Sequence, residues 1–274
     1  MGKKLRSILL IVLIVIFIVS TTLYILELVD KKRSRDINDD ALNLALGIAE
    51  AEEATEWIPA PVEDDPVIEQ LEKINLEPLR EKNEDVVGWI RIPGTQLDYP
   101  LMQGEDNEYY LNHAWNDSNS HSGAIFFESR SNTDLEDYNT IIYGHNMRDG
   151  SMFASLRLLK DEKFLKKCPY VYILTDEGIF RYEIFAVYDA ALDSPAYGLS
   201  FNQTETKIKF LSHSKENSVV DVGIEPALTD RILTLSTCTN TNADTRWLVQ
   251  ARLPMIEVPV GENPAEEVPQ DEEP

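Results

Sequence analysis

Three residues of this chain could together move an acyl group: Cys238, His145 and Arg246. A thiol titrates near pH 8.5, so at neutrality it is a weak nucleophile until a nearby imidazolium or guanidinium favours the thiolate. Once ionised, it can attack a carbonyl and hold the acyl group as a thioester. His145, in Ile141-Ile142-Tyr143-Gly144-His145-Asn146-Met147, can hand a proton to a departing amine. Arg246 follows Cys238 by eight residues and opens Arg246-Trp247-Leu248-Val249. A guanidinium at such a position can hold a carbonyl oxygen as negative charge builds on it. Each residue also has an ordinary role. A cysteine at a strand end is a small buried hydrophobe, an arginine opening a strand is a surface charge, and His113, His121, His145 and His213 can all be structural. Cys168 and Cys238 could instead pair as a disulfide, leaving no nucleophile and suiting a membrane-tethered β domain rather than an enzyme. The papain-type pattern C-G-[SA]-C-[WY] is absent from both Lys167-Cys168-Pro169 and Thr237-Cys238-Thr239.

The elements that must position these residues read mainly as strands. Short β-branched or aromatic runs with turn punctuation occupy 86–92, 123–127, 139–143, 170–174, 231–236 and 247–252. The runs 171–174 and 179–188 flank Thr175-Asp176-Glu177-Gly178, a hairpin signal. Apolar residues Val67, Ile68, Leu71, Ile74, Leu76 and Leu79 recur at helical spacing over 66–83, and helical interruptions are expected at 152–159 and 205–213. Many short strands with few helices favour a closed barrel or sandwich over a doubly wound sheet. If the strands ending at Cys238 and starting at Arg246 are hairpin neighbours, the two residues face each other across the loop mouth.

The 274 residues carry 25 Lys+Arg against 48 Asp+Glu, a formal charge of −23. Such a chain offers no basic face for phosphate, which argues against nucleic acid as a partner. At 43% hydrophobic it has ample material for a core. Two cysteines are too few for a disulfide-stapled scaffold or a four-cysteine zinc site. The chain divides into a basic membrane-anchor region at 1–35, an acidic spacer at 36–66, a folded domain at 67–256 and an acidic, proline-rich tail expected to be disordered at 257–274. Residues 7–26 form an apolar run without a charge, the length of a membrane-crossing helix and too long for a cleaved signal. Lysines and arginines flank it almost evenly, so the positive-inside rule does not set its orientation.

Thr234-Leu235-Ser236-Thr237-Cys238 followed by Arg246 resembles the TLxTC…R signature of sortases, the membrane-anchored cysteine transpeptidases of Gram-positive bacteria. Tyr143-Gly144-His145-Asn146-Met147, with Asp149-Gly150-Ser151-Met152-Phe153 after it, is similar to the histidine segment of class B sortases. So are Asp85-Val86-Val87-Gly88-Trp89-Ile90-Arg91-Ile92-Pro93, Leu97-Asp98-Tyr99-Pro100 and Asp106-Asn107-Glu108-Tyr109-Tyr110-Leu111-Asn112-His113. The motifs keep the family's order over roughly residues 67–253. The resemblance implies a closed, roughly eight-stranded sortase β-barrel with a few helices, preceded by an uncleaved N-terminal transmembrane helix, with the catalytic domain extracellular. It implies Cys238 as nucleophile, His145 as proton donor and acceptor, Arg246 as transition-state stabiliser, and Ser236 and Thr237 in the substrate groove. No cofactor or metal is implied. The partners would be secreted proteins with a C-terminal sorting signal, and an acceptor amine from a peptidoglycan precursor or, in a pilin-polymerising enzyme, a pilin lysine.

Overall fold

Alternation sets the first barrel strand: in Val86-Val87-Gly88-Trp89-Ile90-Arg91, Val86, Gly88 and Ile90 are buried while their neighbours are partly exposed. The chain's structure is a computed structural model that describes residues 55–62, 64–238 and 244–259, with Cys238 described through its backbone. In chain order the strands are β1 Thr55–Pro59, β2 Val86–Arg91, β3 Asp98–Met102, β4 Ile125–Phe127, β5 Asn139–Tyr143, β6 Tyr170–Thr175, β7 Gly178–Ala191, β8 Arg231–Cys238, β9 Thr245–Leu253 and β10 Met255–Pro259. Eight of them close into a barrel in the order β2-β3-β4-β5-β8-β9-β7-β6, as the sequence suggested. Two joins, β3–β4 and β5–β8, are parallel; the others are antiparallel.

Inside the barrel, Ile90, Leu101, Ile125, Phe127, Ile142, Ile173, Ile184, Leu233, Leu235 and Val249 share one core. Each fully buried aliphatic side chain contributes about 2 kcal/mol relative to exposure. The outer faces of β7, β8 and β9 are covered too. Phe185, Tyr188, Ile232 and Leu248 pack with Phe210 and Leu211 of the helix Thr204–Asn217. Strands covered on both sides read as nearly continuous apolar runs rather than alternating ones, as Arg231-Ile232-Leu233-Thr234-Leu235 does.

Within that apolar setting runs a buried polar chain across four strands. Tyr188 OH donates to Gln250 Oε1 at 3.0 Å, Gln250 Nε2 donates to Thr234 Oγ1 at 3.0 Å, and Thr234 Oγ1 donates to Asn139 Oδ1 at 2.7 Å. The Asn139 amide then donates to the carbonyls of Ala196 at 3.0 Å and Gly198 at 2.9 Å. Asn139, Thr234 and Gln250 are all within 1% of full burial.

Three expectations need correction. The helical stretch over 66–83 is two short helices, Pro66–Leu71 and Glu77–Arg80. Pro78 has no N–H to donate back to Ile74, so it suits the first turn of a new helix rather than the interior of a long one, and the Asn75 side chain accepts from the Glu77 N–H at 3.1 Å, which restarts the chain in a new turn. The segment at 152–159 winds as a 3₁₀ helix, Phe153–Lys160. The folded part also extends past 67–256 at both ends. β1 lies in the stretch read as spacer and pairs antiparallel with β10, whose last three residues lie in the stretch read as tail. Acidic and proline-rich composition hid both strands, because each is an edge that pairs only with the other. The apolar run at 7–26, most of the spacer and residues 260–274 lie outside the described residues. Among the described residues no helix is long and apolar enough to cross a membrane.

Asp65 fastens the entry to this barrel. It caps the helix Pro66–Leu71 by accepting from the Val67 N–H at 2.9 Å, and its other oxygen accepts from Tyr172 OH at 2.8 Å and Arg181 Nη1 at 3.1 Å. Burial alone would raise its pKa, but the bonds from Tyr172, Val67 and Arg181 outweigh burial and hold it below the usual carboxylate range. A depressed carboxylate stabilises the fold above its unfolded-state pKa, and that contribution is lost as pH falls through the folded value. Asp65→Ala is therefore expected to cost about 2 kcal/mol at neutral pH. Urea denaturation of both proteins across pH checks this: the gap should close in acid, and a gap that persists there would rule out the ionised carboxylate as its source.

Candidate active site

The end of β8 is the meeting point of the three sequence-distant segments. On one side, parallel pairing with β5 sets Tyr143 level with Ser236, and the Gly144 N–H donates to the Ser236 carbonyl at 3.2 Å. On the other side, antiparallel pairing with β9 sets Cys238 opposite Arg246 and Thr237 opposite Trp247. The hairpin relation expected for Cys238 and Arg246 is thus present, and His145 leaves β5 next to it.

A cleft of about 430 Å³ opens there. Tyr143, His145, Ser236, Thr237 and Arg246 line it, together with Asn107, Leu111, Glu128 and Arg130. Leu192 and Tyr197, from the connection after β7, complete it. All four described members of the expected set come together here: His145, Arg246, Ser236 and Thr237. His113, His121 and His213 are not among the lining residues. His113 stacks on Tyr109 with ring centroids 3.9 Å apart, and His213 Nε2 lies 3.1 Å from Ser194 Oγ.

His145 is half-buried and oriented by its neighbours. Its Nε2 lies 2.7 Å from the Leu111 carbonyl oxygen. A carbonyl only accepts, so Nε2 carries the hydrogen, and in the neutral ring Nδ1 is the basic nitrogen. The loop beyond folds back on itself: Phe153 N donates to the His145 carbonyl at 2.9 Å, and Asn146 bridges to Met152. Gly144 is required by this packing, because a Cβ there would stand 2.8 Å from the Phe153 ring. Arg246 is also half-buried; its Nη1 donates to the Thr245 carbonyl at 3.0 Å. Next to it, the Trp247 indole N–H donates to the Leu156 carbonyl at 3.2 Å and fixes the start of β9.

The two small polar residues before Cys238 differ. Ser236 Oγ lies 3.0 Å from Tyr197 OH. Thr237 Oγ1 is buried and has no hydrogen-bond partner among the described residues. Alternation along β8 turns the two side chains to opposite faces of the strand, although both residues line the cleft.

Sequence reasoning missed part of the lining. Glu128 follows the apolar run of β4 and is almost fully buried, yet its carboxylate accepts from Asn107 Nδ2 at 2.7 Å, Arg130 Nε at 2.8 Å and Tyr143 OH at 3.0 Å. Burial pushes its pKa up, and those three bonds more than reverse the effect, so it is held below the ordinary range. The Tyr143 hydroxyl, partly desolvated and facing this carboxylate, is pushed well above its usual value. Asn107 and Leu111 lay within a segment singled out by resemblance, whereas nothing local marked Glu128 or Tyr197. Cys168 is a free, buried thiol, so the disulfide considered as an alternative is not formed. Its Sγ packs against Gly94, where a Cβ would come within 2.5 Å, and burial pushes its pKa up despite Lys167.

Comparison with known proteins agrees with this geometry. The family model described as "Sortase domain" matches residues 90–254. Sortase B of Listeria monocytogenes is 36% identical over 231 residues, which span 83% of this chain and 88% of that protein. The X-ray structure of Clostridium perfringens sortase B aligns with a TM-score of 0.61 at 35% identity, covering 66% of this chain and all of that one. A Staphylococcus aureus sortase B–substrate complex aligns with a TM-score of 0.63 at 29% identity, covering 70% of this chain and 90% of that one. With its eight-stranded barrel and a cleft lined by His145 and Arg246 at the strand end that carries Cys238, the chain belongs to the sortase family, as a class B cysteine transpeptidase.

Proposed function

We propose that this chain cleaves a Thr-containing C-terminal sorting signal on secreted proteins and joins the new C-terminus to an amine of a peptidoglycan precursor. The Cys238 thiolate adds to the threonine carbonyl, and the oxyanion is held by Arg246. The C–N bond to the next residue breaks, His145 gives its proton to the departing amine, and the acyl group remains as a thioester on Cys238. The acceptor amine then attacks the thioester, loses a proton to His145 and releases the thiolate. Ser236 and Thr237 line the groove that the peptide occupies. The apolar run at 7–26 would tether the domain to the membrane, with the cleft on the extracellular side.

The observation that carries this reading is the register of β8, which sets Cys238 opposite Arg246 while β5 brings His145 to the same cleft. Intact-mass spectrometry of the protein with Thr-containing sorting peptides tests it. A mass adduct on Cys238 that hydroxylamine removes, and that never forms in Cys238→Ala, supports the thioester. An adduct that survives in Cys238→Ala, or activity retained in His145→Ala, would overturn the assignment. Transfer to a lysine side chain in preference to a peptidoglycan-type amine would point to pilin assembly.

Two variants probe the geometry by steady-state transpeptidation. Arg246→Lys should lower kcat/KM at least about tenfold, because an ammonium does not reproduce the guanidinium fork. Gly144→Ala should displace Phe153 or the His145 loop and cost roughly 10–100-fold, as a misplacement of about 1 Å does at a reacting centre. Near-normal turnover in either would remove that residue from the account.

A further inference from the structure

We propose that Glu128 is a positioning residue for the acyl-transfer site, because its one carboxylate holds both segments that meet in the His145–Leu111 hydrogen bond. On one side it accepts from Tyr143 OH at 3.0 Å, and Tyr143 stands two residues before His145 on the same strand end. On the other it accepts from Asn107 Nδ2 at 2.7 Å, and Asn107 stands four residues before Leu111. The link is reciprocal: the Ser129 N–H donates to Asn107 Oδ1 at 2.8 Å, and the Glu128 N–H donates to the Ile141 carbonyl at 2.9 Å. Glu128 thus ties the loop that carries the Leu111 carbonyl to the strand that carries the imidazole, and the 2.7 Å bond between them closes the ring.

A carboxylate is an unusual way to build that wall. Glutamate is almost never fully buried unless paired, and an unsatisfied buried charge is strongly unfavourable. Here the side chain is 3% exposed and every donor aimed at it is accounted for. The titratable groups facing it are Arg130 from its own segment and Tyr143 from β5; Asn107 is uncharged. Arg130 reaches the other oxygen through Nε at 2.8 Å while remaining 73% exposed itself. Only the ionised, acceptor-only form of Glu128 satisfies three donors at once. An apolar residue could seal the cleft, but it could not fix the Tyr143 hydroxyl and the Asn107 amide in relation to each other.

This inference rests on His145 being the proton donor proposed above, so His145→Ala is measured alongside. The test is steady-state transpeptidation by the full chain with a Thr-containing sorting peptide, across pH. In Glu128→Gln one acceptor oxygen becomes an NH₂ that faces a donor. The loss of one charged, buried hydrogen bond should lower kcat/KM about tenfold. The limb of the pH profile that belongs to the imidazole should move as well. Asn107→Asp alone sets a carboxylate against Glu128 and should be similarly impaired. In the double variant Asn107→Asp/Glu128→Gln the donor and acceptor trade places: the new amide can donate to the new carboxylate, and most of the loss should be recovered. Asp65→Ala, which lines no part of the cleft, serves as a control for destabilisation alone: it should lose stability but keep kcat/KM and the pH limb. A folded Glu128→Gln with unchanged kcat/KM and pH limb overturns the proposal, as does a double variant no better than the two singles. Should Glu128→Gln fail to fold, Tyr143→Phe and Asn107→Asp are read for the same limb, and no shift in either overturns it. If His145→Ala is inactive while Glu128→Gln is normal, the positioning role fails and the site assignment stands. If His145→Ala is active, the site assignment itself has failed.

Discussion

The site exists because β8 is locked in register between β5 and β9, and the buried chain Tyr188–Gln250–Thr234–Asn139 is what locks it. A strand that slips by one residue turns every side chain to the other face. In an apolar barrel many slipped arrangements would bury nearly as much surface, so burial alone discriminates weakly between them. Hydrogen bonds inside the core discriminate sharply, since a slip would strand Gln250, Thr234 and Asn139 without partners, and unsatisfied buried polar groups are costly. The same chain reaches beyond the barrel through the Asn139 amide to the carbonyls of Ala196 and Gly198, on either side of Tyr197. Tyr197 in turn meets Ser236 at the cleft. Core registry and cleft wall are therefore parts of one connected network.

Much of this was legible in the sequence, for physical reasons that vary by element. β8 and β7 stood out as long apolar runs because both of their faces are covered. The β6–β7 hairpin was visible from Gly178, whose φ of +132° suits a residue without a side chain. The pairing of Cys238 with Arg246 was readable because an antiparallel connection is local. The place of Glu128 was not, because it is built through non-local joins: β4 reaches the site by parallel pairing with β3, and Glu128 becomes informative only when Asn107 and Tyr143 converge on it. The break in the helix before β2 lay with Pro78, which the apolar spacing around it outweighed in the reading. β1 and β10 were concealed by composition, since a two-stranded ribbon needs little apolar content when each edge has a partner.

Electrostatics divides the molecule unevenly. The chain carries a formal charge of −23, yet among the described residues lining the cleft the only carboxylate is Glu128, set against Arg130, Arg246 and His145. Glu128 is itself hydrogen-bonded to Arg130. The lining of the cleft is therefore less acidic than the chain as a whole. Cys168, away from that lining, is buried and pushed towards its protonated form.

The β1–β10 ribbon has a bearing on how such a domain can be mounted. β9 begins beside the cleft with Thr245 and Arg246 and runs through nine residues to Leu253, which pairs with Arg231 at the start of β8. At about 3.3 Å per residue this carries the chain roughly 30 Å from the reacting end before β10 begins. There Thr55 and Pro259 lie opposite each other. The first and last described residues of the barrel domain therefore lie side by side, across the β1–β10 ribbon. A short bridge between those two residues would close the domain into a ring, and new ends could be opened in a surface turn such as Asp176-Glu177 without crossing the path of a substrate.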